Sequence, residues 1–296
     1  MTILLVDTYS AVFRAHYALP EMSTLSGEPT SALYGFCALL LKLLRENPNA
    51  ALALAIDLPG QTFRQATYRE YKAGRQATPT ALGTQLRRLP RLLEALGAPV
   101  LGAAGFEADD VLATLAERAR TRPGGAIVVS GDRDLLQLAH GSVRVHFIGA
   151  RGMAAVTYDE TLVTARFGLH PTRLPSYVAL VGDKSDNLPG VHGIGASTAR
   201  RLFATFENAT ELFSRLDSVN PERLRAVLKA HESAIFQNEA LARLRFDVPL
   251  PENSEPKVPT SDDWGRWRRE LEALEFKSLL PRLDALAGAP KAPEPQ

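Results

Sequence analysis

Three short apolar runs in this chain each close on an aspartate: "TILLVD" at Asp7, "ALALAID" at Asp57, and "AIVVSGDRD" at Asp132 and Asp134. Between them lie stretches of helical period, Ser31 to Glu46, Gln85 to Leu96 and Asp109 to Ala119. Near-continuous apolar strands alternating with helices predict a parallel-rich sheet covered on both faces. Ligands of such sheets lie beyond the carboxyl ends of the strands, where these aspartates fall. Residues 1 to about 175 therefore read as an α/β unit.

From Pro175 the strand signal stops. Helical segments follow at Ser176 to Val181, Ala196 to Phe206, Thr210 to Leu216, Pro221 to Lys229 and His231 to Arg243. "DVPLPENSEPKVP" is too poor in apolar residues to form an element, and a further helix begins near Ser261, a plausible cap. The last residues, 287–296, read as a flexible tail or linker. The chain has 296 residues and 45 % apolar content, enough for a buried core, with no internal repeat. Its formal charge of +1 means that a polyanionic partner must be held by local patches. One cysteine, Cys37, sits in an apolar helical pattern and reads as a small core residue, so no disulfide framework exists. The opening "MTILLVD" is too short for a signal peptide or a membrane span, and the expectation is a cytoplasmic, nucleoid-associated protein.

Nine acidic residues sit at strand ends or helix starts: Asp7, Asp57, Glu107, Asp109, Asp110, Asp132, Asp134, Asp183 and Asp186. Alone, Asp109 or Asp110 reads as a helix cap, and Asp132 with Asp134 as turn chemistry. Gathered on one sheet crest, so many carboxylates would repel strongly without cations. Hard oxygen ligands without His or Cys suit Mg²⁺ or Mn²⁺ rather than zinc, and the six histidines show no metal-ligand spacing. Two such ions roughly 3.5–4 Å apart are a standard device for in-line attack of water on a phosphodiester. Phosphodiester hydrolysis is the expected chemistry.

From Arg64 to Arg91 the chain carries seven Lys/Arg residues and one acid, Glu70. A solvated helix face would account for the charge alone. Tyr68 and Tyr71, interleaved with Arg64, Arg69, Lys72 and Arg75, instead suit an unpaired nucleic-acid strand. Further on, "LVGDKSDNLPGVHGIGASTARRL" sets Asp183 and Asp186 directly before Gly190, Gly193 and Gly195 and a helix carrying Arg200 and Arg201. Glycine turns and helix N-termini present backbone N–H groups to phosphate. A dinucleotide fingerprint fits poorly, because no strand leads into the turn and Pro189 precedes it. A purely structural tight turn is the remaining alternative.

These motifs, "LLVDTYSAVFRAHYALP", "FRQATYREYKAGR", "GFEADDVLATLA", "VVSGDRDLLQL" and "LVGDKSDNLPGVHGIGAS", resemble the bacterial 5′-nuclease family, which includes the 5′→3′ exonuclease domain of DNA polymerase I and free-standing flap endonucleases. The resemblance covers nearly the whole chain. It implies a PIN-like core over 1–175 with a basic arch at about 62–91. A helical DNA-binding region over 176–286 would contain a helix–two-turn–helix element at about 176–206. By the same resemblance all nine carboxylates fall on metal positions for two or three Mg²⁺ or Mn²⁺ ions, with Asp57 and Asp132 also catalytic. Lys72 and Arg75 would act at the scissile phosphate, and Arg64, Tyr71, Gly190, Gly193, Gly195, Ser197 and Arg200 would contact DNA. The turn around Val191 and Ile194 would hold K⁺. The implied substrates are branched, flapped or nicked DNA, for a monomer working with a DNA polymerase in cis or in trans. Thr8 and Phe106 depart from the family's usual glycine and tyrosine without removing a ligand. A non-catalytic DNA-binding module and a PIN-type ribonuclease are the competing readings.

Overall fold

The computed structural model describes residues 1–74, 77–150 and 152–288. Six strands form one sheet: β1 (Ile3–Asp7), β2 (Ala51–Ala55), β3 (Val100–Leu101), β4 (Ala126–Ser130), β5 (Val143–Phe147) and β6 (Val156–Tyr158). Their spatial order is β3-β2-β1-β4-β5-β6, and every ladder is parallel except that between β5 and β6. β1, β2 and β4 are buried at every residue, which is why they read as unbroken apolar runs. The winding direction reverses between β1 and β4, so the ligand crevice of such a sheet opens at their carboxyl ends. Asp7 closes β1 and Ser130 closes β4, one on each side of that crevice.

The helices, in chain order, are α1 (Thr8–Ala18), α2 (Ser31–Glu46), α3 (Phe63–Thr67), α4 (Thr80–Ala95), α5 (Ala108–Arg120), α6 (Glu160–Phe167), α7 (Leu174–Val181), α8 (Ala196–Thr205), α9 (Ala209–Ser214), α10 (Glu222–Ala230), α11 (Glu232–Ala242), α12 (Ser261–Ala273) and α13 (Leu280–Ala287). Strand alternation splits the core between the two sheet faces. Leu4 and Val6 pack with α2, α4 and the buried Trp267 of α12 on one face, and Leu5 and Val128 pack with α5 on the other. A third core, with Leu180, Phe203, Leu212, Leu228 and Ile235, joins α7 to α11. In the proline-rich crossing after α11, Lys257 exchanges backbone hydrogen bonds of 2.8 and 3.1 Å with Leu52 of β2, and Val248 packs into the core on the α5 face of the sheet.

The boundaries differ from the sequence expectation in instructive places. α4 begins at Thr80 rather than Gln85, because Leu82 is buried and the Gln85 side chain caps α2, accepting from the Ala32 N–H at 2.7 Å. Thr260, not Ser261, caps α12, in a reciprocal pair with Asp263. The expected arch segment 62–91 comprises α3, a turn over 68–74 and the first part of α4. Arg75 and the tail from residue 289 lie outside the described residues.

Candidate active site

Asp7 is the N-cap of α1: its Oδ1 accepts from the Ser10 N–H at 3.0 Å and its Oδ2 from Ser130 Oγ at 2.7 Å. The carboxyl is only 6 % exposed. Burial pushes its pKa up to about 6 against those two hydrogen bonds, with Asp57 and Asp132 adding repulsion. Asp109 is likewise raised, by burial first and then by the charges of Asp132 and Asp7. Burial also raises Asp134, reinforced by Asp132, Asp186 and Asp183, and raises Asp186 against the opposing effects of Lys72 and Tyr71. Asp132 is the charge common to all four. Its loop is set by Ser130 Oγ, which accepts the Asp132 N–H at 3.0 Å, and by the Asp134 N–H donating to Asp132 Oδ1 at 2.9 Å.

A cleft of about 690 Å³ at the switch point is lined by Asp7, Asp57, Glu107, Asp109 and Asp132. Asp57 is exposed, and its Oδ1 accepts the Ala108 N–H at 2.8 Å, tying β2 to the start of α5. A neighbouring cavity of about 240 Å³ is lined by Asp134 and Asp183. Asp183 Oδ1 accepts from Ser185, closing the loop that leads to Asp186. Among the described residues no three His, Cys, Asp or Glu side chains stand close enough to hold an ion by themselves. The donor set still fits a hard, hydrated cation. Mg²⁺ keeps several of its waters and takes only one or two carboxylates directly.

Three expected roles change. Asp110 is fully buried and forms a bidentate pair with Arg64, at 2.7 and 2.8 Å, so it faces the protein interior rather than the cleft. Arg64 is 2 % exposed and cannot reach DNA. Its guanidinium also donates to Glu107 and to the carbonyls of Leu241 and Arg243, fastening α5 to the end of α11. Tyr71 is 3 % exposed, and its hydroxyl donates to Asp186 Oδ2 at 2.7 Å and Glu107 Oε2 at 3.1 Å, leaving no ring face to stack on a base. Glu107 caps α5, with Asp110 as its reciprocal partner, and accepts Lys72 Nζ at 2.7 Å. A basic, tyrosine-containing stretch looks the same in sequence whether its first cation faces solvent or a buried acid 46 residues on.

Gly190, Gly193 and Gly195 surround the turn before α8. A Cβ on Gly190 would stand 2.4 Å from the Val181 carbonyl, whereas Gly193, at φ +85°, has open space around it. Gly195 caps α8 without a side chain, and Ser197 and Arg200 are exposed on that helix. The Val191 and Ile194 side chains are buried, and the Ile194 N–H donates to the Val191 carbonyl at 3.0 Å. Sequence reasoning missed Arg14, which lines the main cleft and donates to the Gly131 carbonyl at 2.7 Å beside Asp132. Its spacing from Asp7 and Ser10, seven and four residues, already puts it on their face of α1.

An acid-lined crevice with Lys72 and Arg14 in its walls suits a phosphodiester, whose charge both signs must manage, and the class this defines is a nuclease. Residues 2–168 match the family described as 5′-3′ exonuclease, N-terminal resolvase-like domain, and residues 169–263 match 5′-3′ exonuclease, C-terminal SAM fold. DNA polymerase I of Mycobacterium tuberculosis is 39 % identical over 294 residues, which is 97 % of this chain and 32 % of the relative. The chain thus spans about a third of the length of that polymerase. T5 5′-exonuclease with bound divalent metal ions (zinc) has the same fold, at TM-score 0.65 and 20 % identity, covering 96 % of this chain and 100 % of the other. A bacteriophage T5 flap endonuclease in a pseudo-enzyme–product complex with DNA and metal ions superposes at TM-score 0.66 and 19 % identity, with the same coverage of both chains. This chain belongs to the 5′-3′ exonuclease family.

Proposed function

We propose that this chain is a Mg²⁺- or Mn²⁺-dependent 5′→3′ exonuclease and flap endonuclease that cuts DNA near single-strand/duplex junctions, leaving a 5′-phosphate and a 3′-hydroxyl. The observation that carries this reading is the set of crowded carboxylates Asp7, Asp109, Asp134 and Asp186, each raised by burial and each repelled by Asp132. Such a set gains most from divalent cations. Asp7, Asp57, Glu107, Asp109 and Asp132 would surround one hydrated ion, and Asp134, Asp183 and Asp186 the other. One or two carboxylates would bind each ion directly, with the rest acting through its waters. Bound there, divalent ions activate water and neutralise charge developing on the phosphate.

The chain's own residues supply the rest. Ser130 and Ser10 fix the Asp7 carboxylate, and Ser130 also anchors the backbone of Asp132. Lys72, held beside the cleft by Glu107, offers a positive charge to the scissile phosphate. Arg75 is proposed for the same work. The first N–H groups of α8, with Gly190, Gly193, Gly195, Ser197 and Arg200, bind the backbone of the duplex. The carbonyls of Val191 and Ile194 are proposed as the K⁺ site. Branched, flapped or nicked DNA is the proposed partner, bound by a monomer. The M. tuberculosis relative being a DNA polymerase I supports a polymerase in cis. No helix among the described residues is long and apolar enough to cross a membrane; work at the nucleoid in the cytoplasm is part of the same proposal. The test is single-turnover cleavage of an end-labelled 5′-flap duplex with Mg²⁺, Mn²⁺ or EDTA, beside a matched single-stranded RNA. Metal-dependent cutting near the flap junction is expected. Tight binding without cutting would make the chain a binding module, and preferential RNA cleavage would make it a ribonuclease.

A further inference from the structure

The loop from Asp183 to Leu188 is closed by two backbone hydrogen bonds between its ends, 3.0 and 2.7 Å long. Its far side meets the basic turn of residues 68–74. The Lys72 N–H donates to the Asp186 carbonyl at 3.1 Å, and Asn187 Nδ2 donates to the Glu70 carbonyl at 2.8 Å. Lys72 and Asn187 both hold positive φ, 57° and 56°, conformations that persist only where neighbours fix them. On its near side the loop runs straight into the glycine turn. Asn238 Nδ2 donates to the Pro189 carbonyl at 2.7 Å, and Gly190 lies so close to Val181 that no side chain fits. One short, tightly held loop thus carries the proposed duplex-binding turn at one end and grips the lysine-bearing turn at the other.

We propose that Asn187 is a positioning residue: by holding the Glu70 carbonyl it fixes the left-handed turn at Lys72, so that seating of the duplex on the glycine turn also sets the aim of the lysine. This rests on the nuclease reading above and deepens it, since it couples recognition of duplex to cleavage of the single strand beside it. Asparagine suits the position because it tolerates a left-handed backbone while offering an amide donor. Serine or threonine would offer only a hydroxyl on a shorter side chain.

The test uses the whole chain. Asn187→Gly keeps the backbone conformation and removes the donor; Asn187→Asp keeps the size and turns the donor into an acceptor. Both should lower the single-turnover rate on saturating 5′-flap DNA about fivefold, the worth of one net hydrogen bond, with the DNA dissociation constant unchanged. In a Lys72→Ala background Asn187→Gly should cost nothing further, because the two act as one unit. Amide exchange across residues 68–74 in the metal-free protein should quicken in Asn187→Gly. An unchanged rate, an equal loss in the Lys72→Ala background, or unaltered exchange would each overturn the assignment. A wild-type chain that cuts no flap would instead refute the nuclease reading, while the exchange measurement still decides whether Asn187 grips the turn.

Discussion

Replacing Arg64 by methionine separates two accounts of the same cation. All five guanidinium N–H groups have partners: Asp110 twice, Glu107, and the carbonyls of Leu241 and Arg243. Asp110 is 0 % exposed and also accepts the backbone N–H groups of Glu107 and Arg245, so removing the arginine leaves a buried carboxyl group without its main partner. Breaking a buried ion pair from one side costs about 3–5 kcal/mol. At about 2 °C per kcal/mol for a chain of this size, the melting temperature should fall by about 6–10 °C. Arg64→Lys should recover only part of this, since one ammonium cannot serve a carboxylate and two carbonyls together. Scanning calorimetry in metal-free buffer measures the shift. Flap binding across a salt series supplies the control, because losing a phosphate contact would reduce the slope of log K against log salt by about 1. An unshifted melting temperature with a reduced slope would refute the buried-staple account and restore Arg64 to the DNA surface.

Arg64 also shows where the sequence stops being legible. The strands that end in Asp7, Asp57 and Asp132 announce themselves because full burial makes them continuous apolar runs, and α2 shows its helical period across Leu33, Phe36, Cys37, Leu40, Leu41 and Leu44. Convergence of Asp7 and Asp132 follows from strand order alone. What no local pattern reveals is which cation is buried. Arg64 and Tyr71 sit in the same basic stretch as Lys72, and only contacts with Asp110, Asp186 and the end of α11 decide that two of the three are internal. The alternating β5 goes unread because its exposed Arg144 and the half-buried Phe147 break the continuous apolar run that marks the central strands, and the antiparallel β6 because it is only three residues long with two of them exposed.

Three further substitutions bear on the cleft and the turn. Asp7 binds its proton up to about pH 6 in the folded chain against an ordinary value of 3.8, so the folded state holds the extra proton between the two and stability falls as pH rises through that window. In EDTA, Asp7→Asn should therefore be more stable than wild type at pH 7.5, by up to about 3 kcal/mol, and the gap should close by about pH 4; urea denaturation at the two pH values checks it, and equal stability at pH 7.5 would count against a strained carboxylate. Gly190→Ala should destabilise by about 1–3 kcal/mol, because its Cβ would meet the Val181 carbonyl at 2.4 Å. Gly193→Ala, with open space around it and φ +85°, should pay only the backbone cost of about 1 kcal/mol. Chemical denaturation of the pair reads the difference directly.

The central claim is that the crowded carboxylates cut rather than merely fold or bind, and Asp132 tests it best because its charge raises Asp7, Asp109, Asp134 and Asp186 alike. The decisive measurement is single-turnover cleavage of saturating 5′-flap DNA by wild type and Asp132→Ala in Mg²⁺, with the metal-free melting temperature of each recorded alongside. Cleavage lost at undiminished DNA affinity, with the variant melting no lower than wild type, is the predicted result. Wild-type turnover by Asp132→Ala would contradict the account, and so would a variant that has lost its stability along with its activity.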